Sequence, residues 1–332
     1  MGAKIPATMR ALVQGSFDGP RDMRLRDDVP VPSPGAGEVL MRVRAAGVNF
    51  GDISRAYGTF AGGPRPPFVA GFEGAGEIVA LGSGVGAELL GARVTGVGDG
   101  AFAEYMVVPG AAAMPVPSGW TEQQVLGAAV NWPAALAALR PLGGVTAGQT
   151  VLIHAAAGGT GQAAVRMAKH YGATVIGTAS PEKHETVRAL GADHVLDSRG
   201  GDLAAQVLRL TGGAGADVVL ESAGGPSFDA GMAAAKRVTG RVIVLGLAGG
   251  EASISNWELV YKNQIQLIGL NLGVLIRTAP GIFGEVMGEL SALVTAGVLP
   301  PGRPTHYDLD AGPKALGELE SRATVGKLAL VP

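Results

Sequence analysis

The sequence predicts an α/β protein in two parts, a mostly β domain and a doubly wound parallel-sheet domain, and three observations carry that reading. The 332 residues exceed what one hydrophobic core usually serves. Hydrophobic residues make up 47% of the chain against 16% charged, enough to bury a substantial core and too apolar for disorder. The texture also changes near Val130, from short apolar segments broken by Gly and Pro to helices and strands in alternation. The expected boundaries are 1–129 with 273–332 for the first domain and 130–272 for the second.

In the first domain the strand signals are Glu38–Ala45, Gly76–Leu81, Arg93–Val97 and Ala103–Val108, with the proline-bearing stretches Val29–Gly35 and Gly62–Pro67 as loops between them. An alanine-rich helical segment ending near Leu139 opens the second. Strands follow at Thr150–His154, Thr174–Thr178, His194–Leu196, Asp217–Glu221 and Arg241–Leu245. Helices at Gln162–Tyr171, Pro181–Leu190, Asp202–Thr211 and Phe228–Ala235 separate them, so right-handed βαβ crossovers and a parallel sheet are expected. A helix near Phe283–Ala296 and a closing strand near Lys327–Val331 are expected to return to the first domain.

Composition excludes several functions. A net charge of −2, with Lys and Arg scattered, gives no footprint for a phosphate backbone, so no nucleic-acid partner is expected. The absence of cysteine removes disulfides, thiolate nucleophiles, Cys-based zinc sites and iron–sulfur clusters. The opening MGAKIPATMR has no signal-like apolar stretch, and no run approaches the roughly 18 apolar residues of a membrane span, so a cytoplasmic protein without a membrane partner is expected. The 54 glycines fall singly or in pairs beside apolar runs, which marks tight turns between elements.

One such turn carries chemistry. The strand TVLIH runs straight into AAAGGTG, after which Gln162 opens a helix; Ala155, Gly158 and Gly161 keep the three-residue spacing of a dinucleotide-binding turn. Small residues let the backbone turn sharply and approach a pyrophosphate, whose charge the helix N-terminus favours. The second strand selects the dinucleotide. Enzymes that use NAD place an acid about 20 residues beyond the glycines to hold the ribose 2′-hydroxyl. Here Thr178, Ala179 and Ser180 occupy that zone with Lys183 just beyond, and Arg199 follows the third strand, a pattern that favours NADPH. For Lys183 and Arg199 the alternative is an ordinary solvated cation.

Together these motifs resemble the zinc-independent branch of the medium-chain dehydrogenase/reductase superfamily, specifically NADPH:quinone oxidoreductases and the enoyl reductase domains of polyketide synthases. The resemblance spans nearly the whole chain through VRAAGVNFGD (43–52), GFEGAGEIVALGSGV (71–85), GAFAEYMVVP (100–109), VLIHAAAGGTG (151–161) and ESRATVGKLALVP (320–332). It implies a Rossmann domain plus a GroES-like β domain. Zinc-dependent members place Cys in the segment matching Val48–Asp52 and His in that matching Gly71–Glu73. This chain reads GVNFGD and GFEG there, so no metal is expected, and Glu73 matches a retained carboxylate near the emptied zinc site.

The resemblance also proposes site residues. Asn49 and Asp52 match groups beside the nicotinamide, although turn chemistry explains Asn and Asp equally well. With Tyr57 they form the expected catalytic set. The expected cofactor-binding set is Ala155, Gly158, Gly159, Thr160, Gly161, Ser180, Lys183, Arg199, Leu247, Asn271 and Arg322. Three departures from the family stand out. Enoyl reductases often carry Tyr eleven residues after the motif Asn, where this chain has Phe60. Relatives hold the nicotinamide amide with Thr in a segment that here reads NWPAAL and offers Pro133. A Tyr after the third strand is Ser198.

The implied reaction is zinc-free hydride transfer from NADPH to a quinone or an α,β-unsaturated carbonyl. Loss of the tyrosine harms quinone reduction less, because water can protonate the reduced oxygen. Two alternatives remain open, a free-standing enoyl-thioester reductase of polyketide or fatty-acid metabolism and a non-catalytic NADPH-binding sensor or structural protein. The apolar strands Val242–Leu247 and Gln266–Leu272 suggest a homodimer with a continuous sheet.

Overall fold

In the computed structural model, which describes residues 5–332, the chain divides into two units, Met1–Val130 with Pro301–Pro332 and Asn131–Pro300. The first unit opens with β1 (Thr8–Gln14), β2 (Met23–Pro30) and the long β3 (Glu38–Val48), which runs on past the expected Ala45. A short helix α1 (Phe50–Ala56) follows at once, then β4 (Phe68–Val69), β5 (Glu73–Leu81), β6 (Arg93–Val97), β7 (Tyr105–Pro109) and β8 (Met114–Pro115). β3 is buried along nearly its whole length because it is a central strand, pairing antiparallel with both β5 and β7. Val39, Met41, Ile78, Phe102 and Met106 form the middle of this unit's core, and their burial fixes the register that presents the end of β3 to α1.

The second unit begins with α2 (Asn131–Ala137) and proceeds through β9 (Thr150–Ile153), α3 (Gly159–His170), β10 (Thr174–Ala179), α4 (His184–Ala189) and β11 (His194–Asp197). It continues with α5 (Leu203–Leu210), β12 (Val218–Glu221), α6 (Pro226–Ala234), β13 (Arg241–Val244), β14 (Gln266–Gly269), α7 (Leu272–Thr278) and α8 (Pro280–Thr295). Its six strands are all parallel in the order β11-β10-β9-β12-β13-β14, so the order reverses between β9 and β12. Chain ends at such a reversal splay apart and leave a crevice at the carboxyl ends of the strands. The turn after β9 lies there.

The chain then returns to the first unit through β15 (Thr305–Asp308), α9 (Gly312–Glu320) and β16 (Leu328–Val331), which pairs antiparallel with β3. One expectation is corrected: the segment up to Pro300 belongs to the second unit, so its boundary falls well after residue 272. The cause is α8, whose buried residues Val286, Leu290 and Leu293 face that unit. Glu289 ties it down, accepting a hydrogen bond from Tyr171 Oη at 2.8 Å and lying 3.4 Å from Arg140 Nε. Burial, then that bond, push the Tyr171 hydroxyl well above its usual range.

Candidate active site

The turn after β9 is built from backbone. Ala155 has a φ of 50°, in the left-handed region that side chains rarely adopt, and its methyl group is small enough to be held there. Gly158 caps α3, and a Cβ on it would meet only the Ala155 carbonyl oxygen at 3.4 Å, so its outer side is open. The helix starts at Gly159 and not at the expected Gln162, which makes Gly159, Thr160 and Gly161 its first turn. Their N–H groups precede any intrahelical partner and sit at the positive end of the helix dipole. At Gly161 a Cβ would come within 2.7 Å of Ala156 Cα, so the helix packs on the turn there at glycine distance. Thr160 Oγ1 accepts from Asn131 Nδ2 at 3.1 Å. Asn131, unnoticed in the sequence, is thus the polar group near the buried Pro133.

The floor of the turn holds a buried pair. His154 Nε2 is 3.5 Å from Glu221 Oε2, and burial keeps the imidazole pKa below its usual value. The other Glu221 oxygen accepts from the N–H groups of Ala223 and Gly224, each at 2.7 Å, and so shapes the loop after β12.

At the end of β10, Ser180 and Lys183 are buried and Arg199 is exposed after β11. Burial, chiefly, and then the charge of nearby Arg199 lower the Lys183 pKa, against the pull of Glu182. The parallel pairing of Ala179 with Asp197 sets the ends of β10 and β11 side by side, so Lys183 and Arg199 put two cations on neighbouring strand ends. Nothing in the sequence singles out Glu182, whose Oε1 accepts from Ser180 Oγ at 2.5 Å. Ser198 is exposed, its N–H bonded to the Ala179 carbonyl oxygen. Leu247 lies in the loop after β13, about half exposed. Asn271 is the N-cap of α7 and spends its side-chain oxygen on the Val274 N–H at 3.1 Å.

The candidate residues of the first unit form a different kind of site. Asn49 caps α1, and its backbone N–H bonds Asp52 Oδ2 at 2.8 Å. The Asn49 side chain donates to the Gly47 carbonyl oxygen (3.2 Å) and Glu73 Oε2 (2.9 Å) and accepts from Lys327 Nζ (2.7 Å). Both amide protons are thereby committed, so Asn49 has no donor left for a substrate. Glu73, fully buried, also takes Lys327 Nζ at 2.6 Å and the Gly127 N–H at 2.5 Å. The ammonium of Lys327 thus bridges the two segments in which zinc-dependent relatives keep metal ligands. Lys327 stood within the C-terminal motif, but nothing in its neighbourhood named its partners. Burial raises the Asp52 pKa to about 7, outweighing its Asn49 bond and the charges of Arg55 and Lys327.

Tyr57 turns its hydroxyl to Glu320 of α9, a bond that raises its pKa. Phe60 is partly exposed, and the Arg55 guanidinium carbon lies 5.1 Å from its ring centroid and 4.7 Å from that of Phe72. Arg322 sits in the turn after α9 with a φ of 58° and an exposed side chain. Among the described residues no group of three or more His, Cys, Asp or Glu is arranged to hold a metal ion, and no helix is long and apolar enough to cross a membrane.

Comparison with known proteins matches two family models in order along the chain, an alcohol dehydrogenase GroES-like domain over residues 35–118 and a zinc-binding dehydrogenase over residues 159–290. The chain is 42% identical to prostaglandin reductase-3 of Bos taurus over 75% of its own length and 66% of that protein. It is 36% identical to erythronolide synthase of Saccharopolyspora erythraea over 98% of its own length, a stretch that makes up 9% of the synthase. The Escherichia coli quinone oxidoreductase complexed with NADPH superposes with a TM-score of 0.89 at 27% identity, covering 98% of this chain and 100% of the other.

Proposed function

We propose a reductase function from one premise: the chain belongs to the medium-chain dehydrogenase/reductase superfamily. Within it, we read an NADPH-dependent enzyme that reduces quinones or α,β-unsaturated carbonyls without zinc. The observation that carries this reading is the pair of cations, Lys183 and Arg199, beside Ser180 at the end of the strand next to a glycine turn open on its outer side. A cradle of that form fits a dinucleotide carrying a 2′-phosphate. The E. coli relative was solved with NADPH, which supports the same choice.

NADPH held there would supply a hydride; the chain supplies binding and positioning. The first turn of α3 and the Gly158 backbone would hold the pyrophosphate, and Lys183 and Arg199 would neutralise a 2′-phosphate, with Ser180 Oγ, now bonded to Glu182, as a further donor. Asn49 and Asp52 hold the turn from β3 into α1 and thereby fix the positions of Arg55, Tyr57 and Phe60. No tyrosine hydroxyl stands at Phe60, so protonation of the reduced oxygen falls to water, which suits quinones and enones.

The whole-chain similarity to a segment of erythronolide synthase favours a second reading, reduction of enoyl thioesters. NADPH oxidation measured with a quinone panel beside crotonyl-type thioesters separates the two, and activity with thioesters alone would reverse the order. We also read a cytoplasmic homodimer, with sheet edge β14 facing its copy. The exposed apolar residues Val238, Trp257, Val260 and Val274 near that edge support it. Light scattering tests it, and a monomeric mass overturns it.

A further inference from the structure

We infer that Arg55 is a catalytic residue whose guanidinium, held against Phe60 and Phe72, stabilises the negative charge that forms on the substrate oxygen. This rests on the reductase reading above. Reduction of a quinone or conjugated carbonyl moves an electron pair onto oxygen, and the charge stays there until a proton arrives from water. The family resemblance puts a tyrosine hydroxyl at position 60 and a metal-binding histidine in the segment of Phe72. In this chain both polar groups have given way to phenyl rings, and one cation lies against both of them, at 5.1 and 4.7 Å.

Local structure holds that cation in place. Gly51 leaves room for the rings, since a Cβ there would lie 3.1 Å from the Phe72 ring and 3.5 Å from that of Phe60. Ring faces attract a guanidinium and restrict it to a plane. Arg55 Nη1 binds Asp99 Oδ1 at 2.8 Å, but the Asp99 side chain is 77% exposed, against 15% for that of Arg55. Water screens the carboxylate, whereas a substrate oxygen that excludes water meets more of the cation's field. The Arg55 Nε is buried and has no hydrogen-bond partner, so one donor of the fork is left unspent in an interior where such groups are nearly always paired. A guanidinium keeps its proton at any working pH, so its role is electrostatic stabilisation and not proton donation.

The test uses the full chain with NADPH, a quinone and an enone, and the variants Arg55→Gln, Arg55→Lys, Phe60→Tyr and Arg55→Gln/Phe60→Tyr. Arg55→Gln is expected to lower kcat about a hundredfold with little change in KM, more for the enone, whose oxyanion is the less stable. Arg55→Lys retains part of the rate. Phe60→Tyr placed on Arg55→Gln recovers about tenfold, a larger gain than Phe60→Tyr gives in the wild type, whereas a merely structural arginine predicts equal gains in both backgrounds. A second readout needs no turnover: 4-nitrophenol bound to the wild type ionises at lower pH than when bound to Arg55→Gln, as followed by phenolate absorbance. If the wild type is active and Arg55→Gln leaves kcat and the bound phenol unchanged, the inference falls alone. If the nitrophenol shift is present but neither substrate is reduced, the reductase reading falls and the anion site stands, without a catalytic role.

Discussion

The turn after β9 and the cluster around Asn49 are built by opposite means, the first from backbone N–H groups left open and the second from charged side chains paired inside the protein. The turn uses the backbone of seven consecutive residues, Ala155–Gly161, and its demand on the sequence is small volume. The cluster uses side chains 24, 254 and 278 positions apart, and its demand is charge balance, one ammonium against a buried carboxylate. The first is thus broken by adding atoms and the second by removing a charge.

The largest effect is expected from Lys327→Met, which strands Glu73 in the core and should cost about 3–5 kcal/mol in chemical denaturation. Adding Glu73→Gln should return a large part of that loss, and strictly additive losses would show that the pair is not coupled. Gly161→Val comes next. Its side chain has no room against Ala156, so about 1–3 kcal/mol of stability and most NADPH affinity should go, read by thermal shift and fluorescence titration. Lys183→Glu should weaken NADPH binding about tenfold, or about 1.4 kcal/mol, while sparing NADH. Equal losses for both cofactors would remove Lys183 from the 2′-phosphate.

The last effect is a pH slope, modest over any one pH unit. The Asp52 pKa is raised from 3.8 to about 7 in the folded chain, so the folded state binds its proton more tightly than the unfolded state between those values. Stability then falls as pH rises through that window, by at most about 1.4 kcal/mol per unit for one proton, and is level above it. Asp52→Asn keeps an oxygen for the Asn49 N–H and should flatten the slope. An unchanged profile would show that Asp52 titrates normally.

The same contrast explains what was legible beforehand. The parallel strands β9 to β13 read directly, because strands buried on both faces are apolar runs punctuated by helices. The turn read directly because its geometry is local. The amphipathic α8 was visible as a helix, yet its apolar face carries no address, and Tyr171 and Arg140 claim it for the second unit. At Asn49 and Asp52, capping and catalysis call for the same two residue types, and only the distances reveal that the Asn49 amide is already committed. Lys327 and Arg55 went unnoticed because a cation beside an apolar run looks solvated until its partner is found.

The pairing of Lys327 with Glu73 also imposes an order on synthesis. The ammonium leaves the ribosome 254 residues after the carboxylate, an interval of roughly ten seconds or more at ordinary elongation rates. Throughout it, Glu73 has no countercharge, and β3 lacks β16, the neighbour that covers Val48. The second unit, contiguous from Asn131 to Pro300, meets no such delay. Nascent chains stalled just before Lys327 should therefore carry a protease-resistant second unit and a first unit that is still cut, so that the half holding Glu73 is the last to mature.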